Sequence, residues 1–234
     1  MSEQERIRFP NPGVGSYDGI VATGANLSPG VLLSAYEQGI FPWFSEGDPL
    51  LWWSPDPRFI LLPSELHVPR RVARRLRTGE YRLSFDTAFS DVIQQCSEVP
   101  RPGQDGTWIT SDMIDGYIRL HELGFAHSVE AWRGSELAGG LYGVSLGRVF
   151  FGESMFAAQA DASKVAFVSL VRYLSLLGFE LIDCQVYTEH LDRFGAREIP
   201  RTEFLSVLGQ ALSSHATLRG NWGSEARLSP RPST

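Results

Sequence analysis

The chain has 234 residues, of which 43% are hydrophobic and 21% charged, a composition that suits one large or two small globular domains. No apolar run approaches the roughly 18 residues that a membrane span needs, and Met1–Arg6 lacks the apolar core of a secretory signal. Only two cysteines are present, Cys96 and Cys184, so a disulfide framework and a thiolate metal site are excluded and a cytoplasmic protein is expected.

The N-terminal part begins with a predicted helix and an aromatic segment. Ser28 is placed as the N-cap of the helix, Pro29 as its first residue and Gly39 as its end. Four prolines between residues 41 and 57 exclude a long helix and favour a stiff loop. Exposed tryptophans in such a loop can stack on nucleic-acid bases, whereas packing in the core is the alternative. The aromatic residues concerned are Phe41, Trp43, Phe44, Trp52 and Trp53.

Positive charge is concentrated in the next segment. Between Arg58 and Arg82 seven arginines stand against two glutamates, which gives this segment +5 and leaves −11 for the rest of a chain whose total is −6. A helix from Pro69 to near Gly79 would bring several of these arginines onto one face. We interpret this face as a phosphate-binding surface, with a solvated charged face as the alternative. Its members are Arg70, Arg71, Arg74 and Arg75, with Arg77 close by.

The remaining elements follow the order of an α+β fold. A strand over Tyr81–Asp86 and helices over Thr87–Cys96 and Ser111–Leu123 precede an antiparallel meander, a crossover helix, a further strand and a last helix. The later strands are predicted at His127–Arg133, Glu136–Val144, Arg148–Met155 and Glu180–Tyr187, and the later helices at Ser163–Leu177 and Glu203–Ser213. We expect a small N-terminal domain over residues 1–90, a catalytic domain over residues 91–234, and a loose tail beyond Gly220.

Two short stretches place polar residues among apolar ones. In the strand Leu181–Tyr187, a period of two puts Asp183 and Gln185 on one face, and a solvent-facing side of a sheet is the alternative to a functional site. Glu153 is expected to share its face with large apolar side chains such as Phe151. A carboxylate in such surroundings needs a partner, either an incoming α-amino group or a structural arginine.

Other catalytic classes are excluded by their context. Gly143–Gly147 matches G-x-S-x-G, and Asp183 and His190 follow in the order of a hydrolase triad, but the chain continues as a strand where the hydrolase motif needs a helix. The five histidines lack the spacing of metal ligands, and no P-loop for ATP is present. The activated group must therefore arrive with the substrate.

Eight blocks of the chain, in order, resemble the leucyl/phenylalanyl-tRNA–protein transferases. They are Ala35–Phe44, Leu51–Arg58, Gly106–Thr110, His121–Gly124, His127–Glu130, Gly152–Phe156, Ala162–Lys164 and Leu181–Gln185. The resemblance implies a small N-terminal domain and a C-terminal domain with the fold of GCN5-related N-acetyltransferases. Members that use acetyl-CoA have a glycine-rich loop before the long helix, whereas Ala157–Asp161 contains no glycine. The resemblance therefore implies aminoacyl-tRNA as the donor.

The resemblance also implies the reaction and its residues. Leu or Phe, with Met as a further candidate, would move from aminoacyl-tRNA to the α-amine of proteins that begin with Arg or Lys, creating a degradation signal without a cofactor or metal. Asp183 and Gln185 match the catalytic pair of the family, and Glu153 matches its substrate-positioning carboxylate. The implied substrate contacts are Trp43, Trp108, Tyr36 and Tyr117 around the 3′-terminal adenosine, Leu141, Phe151 and Met155 around the donor side chain, and the arginines of residues 70–77 on the tRNA.

The implied mechanism is attack of a neutral α-amine on the ester carbonyl of aminoacyl-tRNA. Gln185 would orient the amine through its side-chain carbonyl, and Asp183 would polarise Gln185. Leu141 stands where the family commonly has methionine, and because the two volumes are similar we expect the Leu/Phe preference to hold. An inactive RNA-binding module and an ordinary N-acetyltransferase stay open as alternatives. The intact polar residues argue against the first, and the missing glycine-rich loop argues against the second.

Overall fold

The computed structural model describes residues 6–13, 18–99 and 108–225, which form two β-sheets surrounded by helices. Gly106 and Thr107 of the motif before Trp108 lie outside the described residues, as does the tail after residue 225. None of the helices in the described ranges is long and apolar enough to cross a membrane.

The smaller sheet is built from the N-terminal part of the chain. Its strands are β1 (Ile20–Thr23), β2 (Phe41–Pro42) and β3 (Leu51–Trp53), which pair antiparallel in the order β1-β3-β2. The predicted loop over the aromatic segment is therefore wrong in part, because two short strands lie within it. Pro42 is compatible with a strand because β2 is at the edge of the sheet, where a missing N–H breaks no ladder.

The larger sheet has seven strands and contains the predicted meander. The strands are β4 (Arg58–Leu61), β5 (Arg82–Phe85), β6 (Ala126–Arg133), β7 (Glu136–Leu146), β8 (Val149–Ala157), β9 (Leu181–Gln185) and β10 (Arg197–Ile199). Their order is β10-β4-β9-β8-β7-β6-β5, and among these described strands only the β8–β9 pair is parallel. The hairpin over Gly143–Gly147 is confirmed, since β7 turns there into β8 and Ser145 is buried.

The helices cover both faces of the larger sheet. They are α1 (Pro29–Glu37), α2 (Arg70–Thr78), α3 (Phe89–Glu98), α4 (Ser111–Glu122), α5 (Ala162–Leu176), α6 (Glu189–Asp192), α7 (Arg201–Ser214) and α8 (Trp222–Glu225), and a 3₁₀ turn spans Pro63–Glu65. One core cluster contains residues of α1, α3, α4 and α7, and a second contains residues of α5. The neighbouring residues Phe150 and Phe151 belong to different clusters, as expected for the two faces of one strand.

Two sequence expectations concern the ends of the fold. The prediction of a loose tail beyond Gly220 is wrong for Trp222, which is 2% exposed and lies in α8. The division into residues 1–90 and 91–234 stays a prediction. Strands on the two sides of that division pair with each other, since Phe59 faces Gln185 and Phe85 faces Val129.

Candidate active site

The candidate site is a cavity of about 490 Å³ at the point where β8 and β9 diverge. Their parallel pairing ends at Phe151 and Asp183. Beyond it, residues 152–155 of β8 and residues 184–186 on the other side both line the cavity. Helix α5, which connects the two strands, supplies Phe167 and Leu170 to the wall. The cavity is therefore a product of the strand divergence.

Glu153 is the extra residue of a β-bulge. Gly143 pairs with Gly152 and Tyr142 pairs with Ser154, so Glu153 has no partner residue on β7. A bulge shifts the alternation of side chains along a strand, and such shifts commonly re-aim side chains beside active sites. As a result Glu153 lines the cavity while its carboxylate also reaches the hydroxyls behind the wall.

The Glu153 carboxylate is held by neutral donors. The Tyr36 hydroxyl donates to Oε1 at 2.7 Å, the Tyr117 hydroxyl to Oε2 at 2.9 Å, and the Gln185 side-chain amide to Oε1 at 2.8 Å. The two tyrosine hydroxyls also contact each other. Among the described residues Glu153 has no arginine partner, the alternative that the sequence left open, and three uncharged groups take that place.

Burial dominates the acid–base behaviour of this cluster. It raises the pKa of Glu153 to about 8, because the ionised carboxylate loses hydration that the donated hydrogen bonds only partly replace. Burial, together with the nearby Glu153 charge, also raises the pKa of Tyr36 and of Tyr117 well above the usual value for a phenol. Both tyrosines therefore remain protonated donors, and Glu153 is the group that titrates near neutral pH.

Asp183 lies behind the cavity wall, paired with Arg58. The guanidinium donates from Nε to Oδ1 at 2.8 Å and from Nη2 to Oδ2 at 2.6 Å, and both side chains are fully buried. Asp183 also accepts the backbone N–H of Gln185 at 2.9 Å, so its contact with Gln185 is through the main chain. Sequence reasoning missed Arg58, although a charged residue directly before Phe59, Ile60 and Leu61 is the same kind of signal that drew attention to Asp183.

The inner part of the cavity is apolar and has the predicted Leu141 and Met155 in its wall. Phe151 is not in the wall, since its ring packs against Tyr36 with centroids 5.0 Å apart, and Phe150 lines the cavity in its place. The prediction put Phe151 and Met155 on one face by strict alternation. The bulge at Glu153 shifts that alternation by one residue, which separates them.

The aromatic segment divides between cavity and core. Trp43 and Trp108 both line the cavity, and Trp43 is steadied by Trp53, whose indole donates to the Trp43 carbonyl at 2.6 Å. Trp52 is fully buried, with its ring 4.9 Å from that of Phe9, so core packing is confirmed for it. The structure thus brings together at one cavity Trp43 and Trp108, the two tryptophans expected around the terminal adenosine.

The arginine face of α2 is split between pairing and solvent. Arg75 is 19% exposed and bonds to Asp161 at 2.8 Å and also to Glu80, whereas Arg71 pairs with Asp161 at 2.6 Å and stays 69% exposed. Although burial alone would raise the pKa of Asp161, hydrogen bonds from Lys164 and Arg75 hold it below the ordinary value. Of the α2 arginines, Arg70, Arg74 and Arg77 are exposed and have no ion-pair partner among the described residues.

Comparison with known proteins matches nearly the whole chain to one family. Residues 60–209 match the model described as "Leucyl/phenylalanyl-tRNA protein transferase", and residues 25–56 match the model of its N-terminal domain. Proteins named leucyl/phenylalanyl-tRNA–protein transferase are 60% identical in Anaeromyxobacter sp. (strain Fw109-5), covering 94% of this chain and 93% of that protein, and 56% identical in Myxococcus xanthus (strain DK1622), covering 98% of each.

Solved structures give a more distant likeness. A functionally unknown conserved protein from Staphylococcus epidermidis ATCC 12228 superposes with a TM-score of 0.42 at 9% identity, covering 77% of this chain and 68% of that chain. The identity over full length and the two matching family models decide the relationship. The chain belongs to the leucyl/phenylalanyl-tRNA–protein transferase family.

Proposed function

We propose that this enzyme moves leucine or phenylalanine, with methionine as a further donor, from aminoacyl-tRNA to the α-amine of proteins that begin with arginine or lysine, which marks them for degradation. Its family transfers aminoacyl groups from tRNA to protein. The observation that carries the proposal is one cavity that joins an apolar wall, two tryptophans and the Glu153–Gln185 hydrogen bond. It offers a place for a donor side chain, a terminal base and an amine.

The donor would enter with its adenosine between Trp43 and Trp108 and its side chain against the apolar wall. Base stacking on an aromatic side chain contributes about 1–3 kcal/mol. Leu141, Phe150 and Met155 present only carbon and sulfur to the side chain, so a branched or aromatic residue is favoured over a smaller one by about 1–3 kcal/mol per methylene. Tyr36 and Tyr117 support Glu153 from behind the wall.

The acceptor amine would be oriented by Gln185 and deprotonated at Glu153. Gln185 donates its side-chain N–H to Glu153, which leaves its carbonyl oxygen to accept from the amine. The pKa of Glu153 is about 8, and that of a protein α-amine is about 7.7–8.0, so a proton passes between them at little cost. The amine nitrogen bonds to the ester carbonyl carbon, the bond to the ribose oxygen breaks, and that oxygen leaves with a proton.

The acceptor side chain and the tRNA body would be held by opposite charges. In its ionised form, the Glu153 carboxylate beside the amine site favours an acceptor whose first side chain is cationic. The tRNA phosphates would lie on Arg70, Arg74 and Arg77, which are exposed, with Arg71 in reach and Arg75 engaged with Asp161 and Glu80. This surface is on α2, which packs beside α5, and α5 also lines the cavity. The tRNA phosphates would therefore contact an element next to the one that contacts the donor side chain.

We further propose the fold of the GCN5-related N-acetyltransferases for the larger sheet, with a domain division near residue 90 and a cytoplasmic location. The antiparallel β6–β7–β8 meander, the crossover helix α5 and the diverging parallel strands β8 and β9 support this fold assignment. Asp161, rather than a glycine-rich loop that could bind a pyrophosphate, stands at the start of α5, and its carboxylate is engaged with Arg71, Arg75 and Lys164. That feature favours aminoacyl-tRNA over acyl-CoA as donor.

A transfer assay tests the proposed function. Radiolabelled Leu-tRNA or Phe-tRNA is mixed with a peptide that begins with Arg, with the same peptide beginning with Gly, and with an N-acetylated form of the Arg peptide. Label on the free Arg peptide alone is the expected result. Absence of label with tRNA still bound would indicate an inactive RNA-binding module, and label from acetyl-CoA would indicate an N-acetyltransferase.

A further inference from the structure

Arg58 is a fully buried cation that the proposed chemistry does not use. It begins β4, the strand between β9 and β10, and its side chain is 0% exposed. Besides the two bonds to Asp183, it donates from Nη1 to the Gly39 carbonyl at 3.1 Å. Its guanidinium carbon lies 4.9 Å from the Phe41 ring centre and 4.4 Å from that of Phe204. Every side of this cation is therefore occupied.

The partners of Arg58 lead to opposite sides of the cavity. Gly39 and Phe41 come just before Trp43 on one side, and Phe41 and Trp43 both line the cavity. On the other side, Asp183 precedes Gln185 in β9 and accepts its backbone N–H. One side chain thus joins the segment that would hold the donor adenosine to the strand that would orient the acceptor amine.

Gln185 has a backbone conformation that needs such support. Its φ angle is +64°, in the left-handed region that a residue with a side chain adopts only at a cost in free energy. The Asp183 carboxylate holds the N–H of Gln185 in this conformation, and the Gln185 amide then reaches Glu153 at 2.8 Å. The pair behind the wall therefore sets the direction of the side chain in front of it.

We propose that Arg58 is a positioning residue for aminoacyl transfer, which through Asp183 and Gly39 holds Gln185 and the Trp43 segment in register across the cavity. The proposal rests on the proposed function. A buried ion pair contributes less to stability than apolar side chains of similar size. The presence of Arg58 and Asp183 is therefore better explained by the positions they give to Gln185 and Trp43 than by the free energy of folding. Misplacing reacting groups by about 1 Å costs on the order of a hundredfold in rate.

The test compares Arg58→Lys, Asp183→Asn and the double variant Arg58→Gln with Asp183→Asn. Lysine keeps the charge but cannot make the two parallel bonds, whereas the double variant keeps a neutral hydrogen-bonded pair and an acceptor for the Gln185 N–H. Arg148→Gln is the matched control, because Arg148 is a partly buried cation over the Phe179 ring that does not line the cavity. Single-turnover transfer, tRNA affinity, pH–rate profile and melting temperature are measured for each.

We expect Arg58→Lys to slow transfer per folded molecule by about tenfold or more, with tRNA affinity within about twofold of the unsubstituted enzyme. The double variant should transfer faster than Asp183→Asn alone, which leaves Arg58 buried without its charged partner, and the shape of the pH–rate profile should be unchanged. The proposal is overturned if Arg58→Lys transfers at the normal rate, or if its loss matches only the unfolded fraction. It is also overturned if the double variant stays as slow as Asp183→Asn, or if its pH–rate profile loses an ionisation. Failure of the unsubstituted enzyme to transfer would instead reject the proposed function.

Discussion

At the scale of single residues, Glu153 shows how a local irregularity makes a functional group. The bulge in β8 turns a strand residue toward two phenols and an amide, and burial then raises its pKa to about 8. The sequence indicated that Glu153 needed a partner. It did not indicate which one, because Tyr36 and Tyr117 are 117 and 36 residues away along the chain.

The raised pKa of Glu153 predicts a pH-dependent effect of Glu153→Gln on stability. Since the unfolded chain has the ordinary pKa of 4.5 and the folded protein about 8, the unfolded state loses its proton first and stability falls as the pH rises between these values. The variant lacks this loss. Its melting temperature, relative to that of the unsubstituted enzyme, should therefore rise between about pH 5 and about pH 8. Calorimetry at several pH values measures the difference, and the exposed Glu136→Gln serves as control. A difference that is constant with pH would contradict the prediction.

At the scale of secondary structure, α2 was predictable in its bounds but not in the pairing of its arginines. Pro69 and Gly79 flank the observed helix, and Gly79 has the left-handed conformation of a C-cap, at φ +62°. The division of its arginines was not predictable, because Asp161 is 86 residues from Arg75 in sequence. Charge patterning identifies a basic face, whereas the fold decides which of its charges are already neutralised.

This division of α2 predicts that neighbouring arginines differ in their effect on tRNA binding. Arg74→Gln should weaken binding and lower the magnitude of the salt slope by about 0.7–0.9, because one free phosphate contact is lost. Arg75→Gln, its matched control, should leave the slope nearly unchanged, because that guanidinium is engaged with Asp161 and Glu80. Filter binding between 50 mM and 200 mM salt, both approximate limits, measures the slopes. Equal changes in the two variants would show that the ion pairs open when tRNA binds.

The β7–β8 hairpin was predicted as an element, and its bulge was not. Strict alternation places Phe151 in the cavity wall with Met155, whereas the extra residue at Glu153 brings Phe150 there in place of Phe151. A bulge inserts one residue without a distinct composition, so periodicity cannot locate it. The nearest signal is Gly143, where a side chain would overlap the carbonyl oxygen of Phe151 and approach the Phe150 ring to 2.6 Å.

Gly143→Ala is therefore expected to destabilise the fold by about 1–3 kcal/mol or more and to reduce donor binding, because the added methyl displaces Phe150 at the cavity. Urea denaturation and the KM for Leu-tRNA measure the two effects. Gly209→Ala in α7 is the matched control, since its added methyl meets no atom within 4 Å. That control should stabilise the helix by up to about 1 kcal/mol. Similar results for the two alanines would contradict the close approach at Gly143.

At the scale of the whole molecule, the pairing of strands that are far apart in sequence explains why the contact between Arg58 and Asp183 could not be predicted. β4 comes from the N-terminal part of the chain and lies between β9 and β10, so Arg58 meets Asp183 across 125 residues. The meander, by contrast, was predictable because its strands are joined by tight turns and pair with their neighbours in sequence. The candidate site residues were predicted from motifs, whereas the buried pair of Arg58 and Asp183 depends on the non-local pairing.

The described C-terminal segment closes the second core cluster. Asp86, with φ +54°, accepts the Trp222 backbone N–H at 2.7 Å and bonds to His127 Nδ1 at 2.9 Å. The Trp222 ring stacks on that of His127, with centroids 3.6 Å apart. Burial lowers the pKa of His127, so the stacked ring is neutral at pH values near 7 or above.

Trp222→Ala should destabilise the enzyme by about 3–5 kcal/mol, because it removes a large buried ring and leaves a cavity over His127. Leu176→Ala, at a side chain that is 67% exposed, should change stability by less than about 0.5 kcal/mol. Urea denaturation followed by circular dichroism measures both. A small loss for Trp222→Ala would mean that α8 is not part of the cooperative fold.

The bond between Asp86 and Trp222 also sets an order of events during synthesis on the ribosome. Trp222 is added 136 residues after Asp86, which at about 5–20 residues per second is a delay of roughly 7–27 s. In the course of that interval α3 and the meander are added after β5, but the ring that covers His127 does not yet exist. The second core cluster is therefore completed only after Trp222 has left the exit tunnel.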